Sequence, residues 1–237
     1  MQGGNNPAGD ILDSQDSLQD LIGQTDMRYI AVEGVIGAGK TTLCTMLAET
    51  LGARVVTEQF EENPFLKDFY KDPERYAFQT QIFFLLTRYK QQRSLSQADL
   101  FHRFLVTDYI FEKDKIFAYL NLEDEELKLY ETLVGSIEHN IVQPDLVVYL
   151  QSSVPRLMQN IKHRGRPIED SITEDYIRDL NEAYNYFFFR YKATSLLIVN
   201  AAELDFVNNP VHYRDLLLQI FRQNRAAVEY YNPIVKT

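Results

Sequence analysis

Tyr29-Ile30-Ala31-Val32-Glu33-Gly34-Val35-Ile36-Gly37-Ala38-Gly39-Lys40-Thr41-Thr42-Leu43 opens on a short apolar run, passes through a glycine-rich turn and continues into a helix-like stretch. From Gly34 to Thr41 it satisfies G-x-x-x-x-G-K-S/T at every fixed position, in the strand–loop–helix setting that this phosphate-cradling motif needs. Glycines let backbone N–H groups turn inward onto phosphate oxygens, and the following helix adds the positive end of its dipole. Gly34, Gly37, Ala38, Gly39, Lys40, Thr41 and Thr42 are therefore the candidate phosphate-binding positions. Lys40 is placed to reach β- and γ-phosphates, and the Thr41 hydroxyl to ligate magnesium. A glycine-rich turn without phosphate is the competing reading, and the intact motif in its proper context outweighs it.

Around this turn, apolar runs alternate with helix-like segments. The runs are Tyr29–Val32, Arg54–Thr57, Phe104–Thr107, Leu146–Leu150 and Leu196–Val199. Each is short and nearly continuous in apolar character, as parallel strands covered on both faces require. The alternation predicts an α/β fold with five parallel strands flanked by helices. Asp72-Pro73 marks a helix start, with the helix running from Glu74 to about Gln97. A second helix is expected over Asp124–Asn140. Ser171-x-x-Glu174 reads as a capping box opening a helix that runs through Lys192.

The 237 residues are 45% apolar, enough for one large domain with a substantial core. No apolar run approaches the ~20 residues of a membrane helix. The net charge is −10, of which Asp10, Asp13, Asp16, Asp20 and Asp26 contribute five with no basic residue beside them. Residues 1–27 read as a flexible acidic extension, and the domain as 28–230. They lack the pattern of a secretory or mitochondrial leader. An acidic body argues against a nucleic-acid polymer as ligand, because polyphosphate backbones are bound by basic surfaces. A small anion needs only a local positive pocket. The single cysteine, Cys44, excludes an intramolecular disulfide and fits a reducing, cytoplasmic setting. The four histidines are too scattered to suggest a zinc site.

Phosphoryl transfer needs charge neutralisation and a positioned nucleophile. Glu58 follows the second apolar run, at the carboxyl end of a strand, where open α/β sheets bind ligands. It suits a general base; a surface or capping acid is the alternative on position alone. Asp108 closes the third run and suits magnesium or its waters. Arg164-Gly165-Arg166-Pro167 lies in the densest basic stretch, read either as a loop closing over phosphates or as a solvated helix end. Gln81 and Arg88 are seven apart on one helical face and suit reading a base edge, amid aromatics that otherwise belong to the core.

Together these pieces resemble the deoxynucleoside kinase family, particularly its bacterial deoxyadenosine/deoxyguanosine kinase branch, from about Tyr29 to Phe221. The distinctive stretches are Glu58-Gln59-Phe60-Glu61-Glu62-Asn63-Pro64-Phe65, Tyr70-Lys71-Asp72-Pro73-Glu74-Arg75-Tyr76, Gln81 to Arg88 and Lys162-His163-Arg164-Gly165-Arg166. The resemblance implies a phosphate-loop kinase fold with an arginine-rich lid, a homodimer, and transfer from ATP with Mg2+ to the 5′-hydroxyl of a deoxynucleoside, a purine favoured. It implies that Glu58 is the base, Gln81 pairs with the nucleobase, and Arg88 and Asp114 form a pair near it. Phe117 stacks on the base, Tyr70 and Glu169 hold the 3′-hydroxyl, Arg164 and Arg166 are lid arginines, and Asp205 and Phe206 belong to the adenine-side loop. Two positions depart from the family pattern. Asp108-Tyr109-Ile110 stands where many members have Glu-Arg-Ser, so no arginine is available there to pair with the base carboxylate. Asn160 stands where the family has a lid-helix arginine.

Two other readings remain. A nucleoside monophosphate kinase of the thymidylate kinase type shares the loop and lid but needs an extra basic group, whereas Glu58, Glu61 and Glu62 make this region acidic. A non-catalytic phosphate-loop module is the other, without an N-K-x-D motif to support a guanine-nucleotide switch.

Overall fold

The computed structural model describes residues 18–95 and 101–233. In chain order the elements are α1 (residues 18–24), β1 (Tyr29–Gly34), α2 (Lys40–Leu51), β2 (Arg54–Val56), α3 (Leu66–Phe69), α4 (Pro73–Leu95), β3 (Leu105–Thr107), α5 (Lys113–Asn121) and α6 (Asp124–Ile137). They continue with β4 (Leu146–Gln151), α7 (Val154–Arg164), α8 (Glu174–Arg190), β5 (Ser195–Asn200), α9 (Pro210–Ile220) and β6 (Val228–Tyr231).

The strands form one sheet in the order β2-β3-β1-β4-β5-β6, with every neighbouring pair parallel. Ile30 lies opposite Val106 on one side and Leu146 on the other, so β1 is flanked by β3 and β4. All six β1 residues are buried, which explains why a continuous apolar run, interrupted only by Glu33, specifies this central strand. The chain leaves β1 toward β3 and β2, and later returns to fill the other side with β4, β5 and β6. The reversal puts a crevice at the carboxyl ends of β1 and its neighbours, the place for a ligand in an open α/β sheet.

The five expected strands are all present, but the sheet has six. The sixth, Val228-Glu229-Tyr230-Tyr231, is an edge strand whose exposure alternates. With one side in water it needs no continuous apolar run, and so it gave no signal of the kind that marked the others. It also carries the folded domain one residue past the expected boundary at 230. Two helix details differ as well. α6 ends at Ile137 and tightens into a 3-10 turn over Glu138–Asn140. α8 is capped by Thr173, whose hydroxyl accepts from the Tyr176 backbone N–H at 3.2 Å, and not by Ser171.

The expected acidic extension is not uniform. Residues 1–17 lie outside the described residues, but α1 places Leu18 and Ile22 in the main core beside β1 and β3 residues such as Tyr29 and Val106. Arg103 donates to the Gly23 and Thr25 carbonyls at 3.1 and 2.6 Å, pinning the end of α1. Leu18 and Ile22 thus pack with the residues of the expected domain 28–230.

Candidate active site

The phosphate loop is shaped by close contacts that only glycine permits. Gly37 has φ +85°, and a Cβ there would come within 2.7 Å of the Leu157 carbonyl oxygen. Gly39 has φ +94° and packs against Phe206, whose ring would lie 3.3 Å from an added Cβ. Asn160 on α7 donates to the Gly37 carbonyl at 2.8 Å, so the residue standing in place of a lid-helix arginine ties the helix to the loop. Lys40 curls back and donates to the Gly34 and Val35 carbonyls at 2.8 and 3.1 Å. Burial, reinforced by the nearby charge of Lys113, pushes the Lys40 ammonium down to about 8.

Thr41 lies in the first turn of α2, and its hydroxyl donates to Asp108 Oδ2 at 2.8 Å; Asp108 Oδ1 accepts from the Glu58 backbone N–H at 2.7 Å. Asp108 therefore binds together the carboxyl ends of β1, β2 and β3. A hydroxyl and a carboxylate at this separation are hard oxygen donors of the kind magnesium takes. No cluster of three or more His, Cys, Asp or Glu among the described residues offers a protein cage.

Glu58 sits between two cations. Arg88 on α4 donates from both Nε and Nη2 to Glu58 Oε1, with the Nε contact at 2.9 Å, while Lys113 on α5 donates to Oε2 at 2.6 Å. Burial alone would raise the Glu58 carboxyl; Arg88 and then Lys113 overcome it and hold the group well below the carboxylate range. Arg88 also pairs with Asp114 through Nη1, and its guanidinium lies over the Phe84 ring at 4.9 Å. Gln81, one heptad before Arg88, donates from Nε2 to the Asp114 carbonyl at 2.8 Å. Asp114 Oδ2 is buried without a hydrogen-bond partner.

The lid follows α7, which Gly165 terminates in a left-handed conformation (φ 60°). Arg164 pairs with both oxygens of buried Glu169 at 2.6 and 2.7 Å. Arg166 lies 3.9 Å from the same carboxylate and stacks over Phe60 at 4.7 Å. Burial pushes the Tyr70 phenol well up, and Tyr176, Glu169 and Glu58 push the same way, so it stays protonated as a donor.

One cavity collects most of these groups: Gly37, Lys40, Thr41, Glu58, Tyr70 and Gln81, together with Arg88, Asp108, Phe117, Arg164, Arg166 and Glu169, all line it. Asp114 lies just beneath, fully buried. Gly34, Ala38, Gly39 and Thr42 belong to the loop and helix start without facing the cavity. Phe206 packs on the far side of the loop against Gly39, and Asp205 is fastened to the Asn208 backbone N–H at 2.9 Å. They are not part of this cavity.

Lys113, Phe60, Phe84 and Tyr176 are among the lining residues that the sequence reading did not pick out as site residues. Glu33, on the central strand behind the loop, was missed as well. It is wholly buried and accepts from the backbone N–H groups of Gly34 (3.0 Å) and Ile110 (2.8 Å), joining the loop to the segment after β3. An acid at the end of an apolar run was a signal for Glu33; Lys113, within Glu112-Lys113-Asp114-Lys115, had none.

Residues 30–224 match the family described as Deoxynucleoside kinase. This chain belongs to the deoxynucleoside kinase family. It is 37% identical over 157 residues to the deoxyguanosine kinase of Bacillus subtilis (strain 168), covering 66% of this chain and 76% of the relative. It is 31% identical over 209 residues to a deoxyguanosine kinase of Lactobacillus acidophilus, covering 82% and 90%. The structure of deoxyadenosine kinase from M. mycoides with bound dATP superposes with a TM-score of 0.72 at 28% identity, over 81% of this chain and 98% of that one. The kinase fold and the phosphotransferase class expected from the sequence are therefore established for this chain. No helix among the described residues is long and apolar enough to cross a membrane.

Proposed function

We propose that this kinase transfers the γ-phosphoryl group of ATP, with Mg2+, to the 5′-hydroxyl of a purine deoxynucleoside. The observation that carries the reading is the placement of Glu58: in one cavity it has Lys40, Thr41 and Asp108 on one side, and Gln81 and Arg88 on the other. The first group suits polyphosphate, the second a nucleobase, and the carboxylate between them suits the hydroxyl that joins the two. The names of the related kinases support a purine acceptor, as does the unpartnered Asp114 Oδ2, which suits an exocyclic amino group.

In this reading the 5′-oxygen forms a bond to the γ-phosphorus while the bond from that phosphorus to the β–γ bridging oxygen breaks, its electron pair leaving on ADP. The hydroxyl proton passes to Glu58 and then to water. Thr41 and Asp108 hold the magnesium, which when bound neutralises phosphate charge. Lys40, Arg164 and Arg166 stabilise charge on the moving group. Phe117 stacks on the base, while Tyr70 and Glu169 receive the 3′-hydroxyl, the latter once Arg164 turns toward phosphate. Asp205 and Phe206 flank the adenine of ATP from outside the loop. A homodimer is part of the proposal, supported by exposed Leu86 on α4 and Leu129 and Leu133 on α6.

The test is a kinase assay with Mg2+ and ATP against each of the four deoxynucleosides and their monophosphates. Phosphorylation of one or both purine deoxynucleosides supports the reading. Phosphorylation of monophosphates alone, or of nothing, overturns it.

A further inference from the structure

Lys113 is buried, 4% exposed, on a site where a charge is held at considerable expense. Its position in the chain gives a first clue to why. The segment after β3 places Tyr109 where an arginine would stand in many kinases of this kind, and Tyr109 is fully buried with its hydroxyl unpartnered. It brings no charge to Glu58. One helical turn further on, Lys113 does: its Nζ is 2.6 Å from Glu58 Oε2.

The two cations on Glu58 are not equivalent. Arg88 is fixed, with three of its nitrogens engaged by Glu58 and Asp114 and its plane stacked over Phe84. Lys113 is a point charge on a flexible stem with three donors; one hydrogen bond ties it to Glu58, and its ammonium lies 5.8 Å from the centre of the Phe117 ring. Oε2 is therefore the carboxylate oxygen that can exchange its partner for a substrate hydroxyl. Lys113 is also near the phosphate loop: its charge bears on both Lys40 and Glu33, and it lines the same cavity as Lys40, Thr41 and Asp108.

We propose that Lys113 is a catalytic residue of the phosphoryl transfer, yielding Glu58 Oε2 to the 5′-hydroxyl and placing its ammonium on an oxygen of the transferred phosphoryl group. This rests on the function proposed above and adds a residue to it. The exchange has a consequence for the base. Once Lys113 moves off, Oε2 is free to accept the hydroxyl proton while Arg88 still holds Oε1. The displaced ammonium meets the charge that spreads over the phosphoryl oxygens in the transition state. Bonds and charges balance as written for the reaction above: the proton goes to Oε2, the leaving electron pair to ADP, and Lys113 stays protonated throughout.

The test uses the full chain and Lys113→Met, with Lys113→Arg as the conservative partner. The deoxynucleoside that the wild-type enzyme phosphorylates and its 5′-monophosphate serve as probes. Lys113→Met is expected to lower kcat by about 10²-fold or more, the usual loss for a preorganised transition-state donor, with nucleoside Kd changed less than about threefold and kcat largely regained in Lys113→Arg. If kcat stays within about threefold of wild type, or if the loss lies wholly in nucleoside binding, the proposal is overturned. Should Lys113→Met fail to fold, the same change is made in Glu58→Gln, where it leaves no buried carboxylate without its cation. There, an affinity for the monophosphate at least about tenfold below that of Glu58→Gln alone, with nucleoside affinity held, supports the contact; equal monophosphate affinities overturn it. A wild-type enzyme that phosphorylates no deoxynucleoside overturns the proposed function and this proposal together, whereas an active wild type with an active Lys113→Met overturns only the role of Lys113.

Discussion

Arg88 places two N–H groups on a single oxygen of Glu58, and so holds the carboxylate by one side while leaving the other to Lys113. A carboxylate clamped this way is oriented and ionised before substrate arrives. Replacing it by the amide keeps the shape and removes the proton acceptor. Glu58→Gln is therefore expected to lower kcat by at least about 10²-fold, the low end for loss of a general base, with only modest loss of nucleoside affinity. Steady-state kinetics beside direct binding will tell; near-normal turnover removes Glu58 from the mechanism.

The same clamp makes Arg88 a stability element. It neutralises Glu58 and Asp114 at once, both largely buried. Arg88→Met leaves Glu58 with Lys113 alone and Asp114 without its cation, and removal of one partner from a buried ion pair costs about 3–5 kcal/mol. The pH dependence has a definite sign. In wild type the Glu58 group is held below its ordinary 4.5, so its contribution is present above that value and fades as pH falls through the lower folded one. In Arg88→Met burial is no longer offset by the guanidinium, the folded carboxyls titrate higher, and their penalty is relieved as they protonate. Urea denaturation is expected to show a deficit that is largest near neutrality and narrows as pH falls toward 4.5. A deficit constant with pH would mean that packing over Phe84, not charge, is what Arg88 supplies.

Asp108 touches the Thr41 hydroxyl and the Glu58 backbone, so one side chain links the proposed magnesium donor to the proposed base. Asp108→Asn preserves an oxygen for the Glu58 N–H but weakens the hard anionic donor. The half-saturating Mg2+ concentration is expected to rise by about 10- to 100-fold, the range for perturbed metal-site partners. A magnesium titration at saturating ATP measures it, and an unchanged requirement would place the ion elsewhere.

Lys40 titrates at about 8 in the protein alone because burial and Lys113 disfavour its charge. Phosphate oxygens favour that charge, so the bound complex holds the proton to higher pH. Between the two values, binding takes up a proton, and ATP affinity falls by up to about tenfold per pH unit above 8. Calorimetry at pH 9 in two buffers of different ionisation heat is expected to report uptake approaching one proton. No uptake would show that Lys40 does not meet the phosphates.

What could be read in the chain divides along a physical line. The phosphate loop, Glu58 and Asp108 are fixed by backbone context, a strand end or a glycine turn, and such context is local. Gln81 and Arg88 share a face by helical period. Their neighbour Lys113 is different: among Glu112, Asp114 and Lys115 it resembles a solvated run, and only the packing of α5 against α4 and α8 buries it. The strand β6 escaped notice for a related reason, since an edge strand half in water carries no continuous apolar signal.

The residues before β1 carried the weakest signal. Five unbalanced aspartates among Gly, Asn and Ser suggested a flexible extension, and in the structure Leu18 and Ile22, one helical turn apart, lie in the main core. Two apolar residues at i and i+4 are too few to outweigh a polar composition, although they suffice to dock a short helix whose end Arg103 secures. Burial to this degree has a measurable size. Leu18→Ala and Ile22→Ala are each expected to cost about 2 kcal/mol, the low end for truncating a buried aliphatic because each remains slightly exposed at the rim. Gln19→Ala, on the exposed face of the same helix, is expected to change stability by less than about 0.5 kcal/mol. Denaturant midpoints of the three variants decide the matter: equal, negligible shifts would make α1 an appendage, whereas the expected pattern makes it part of the domain that holds β1 and the loop behind it in place.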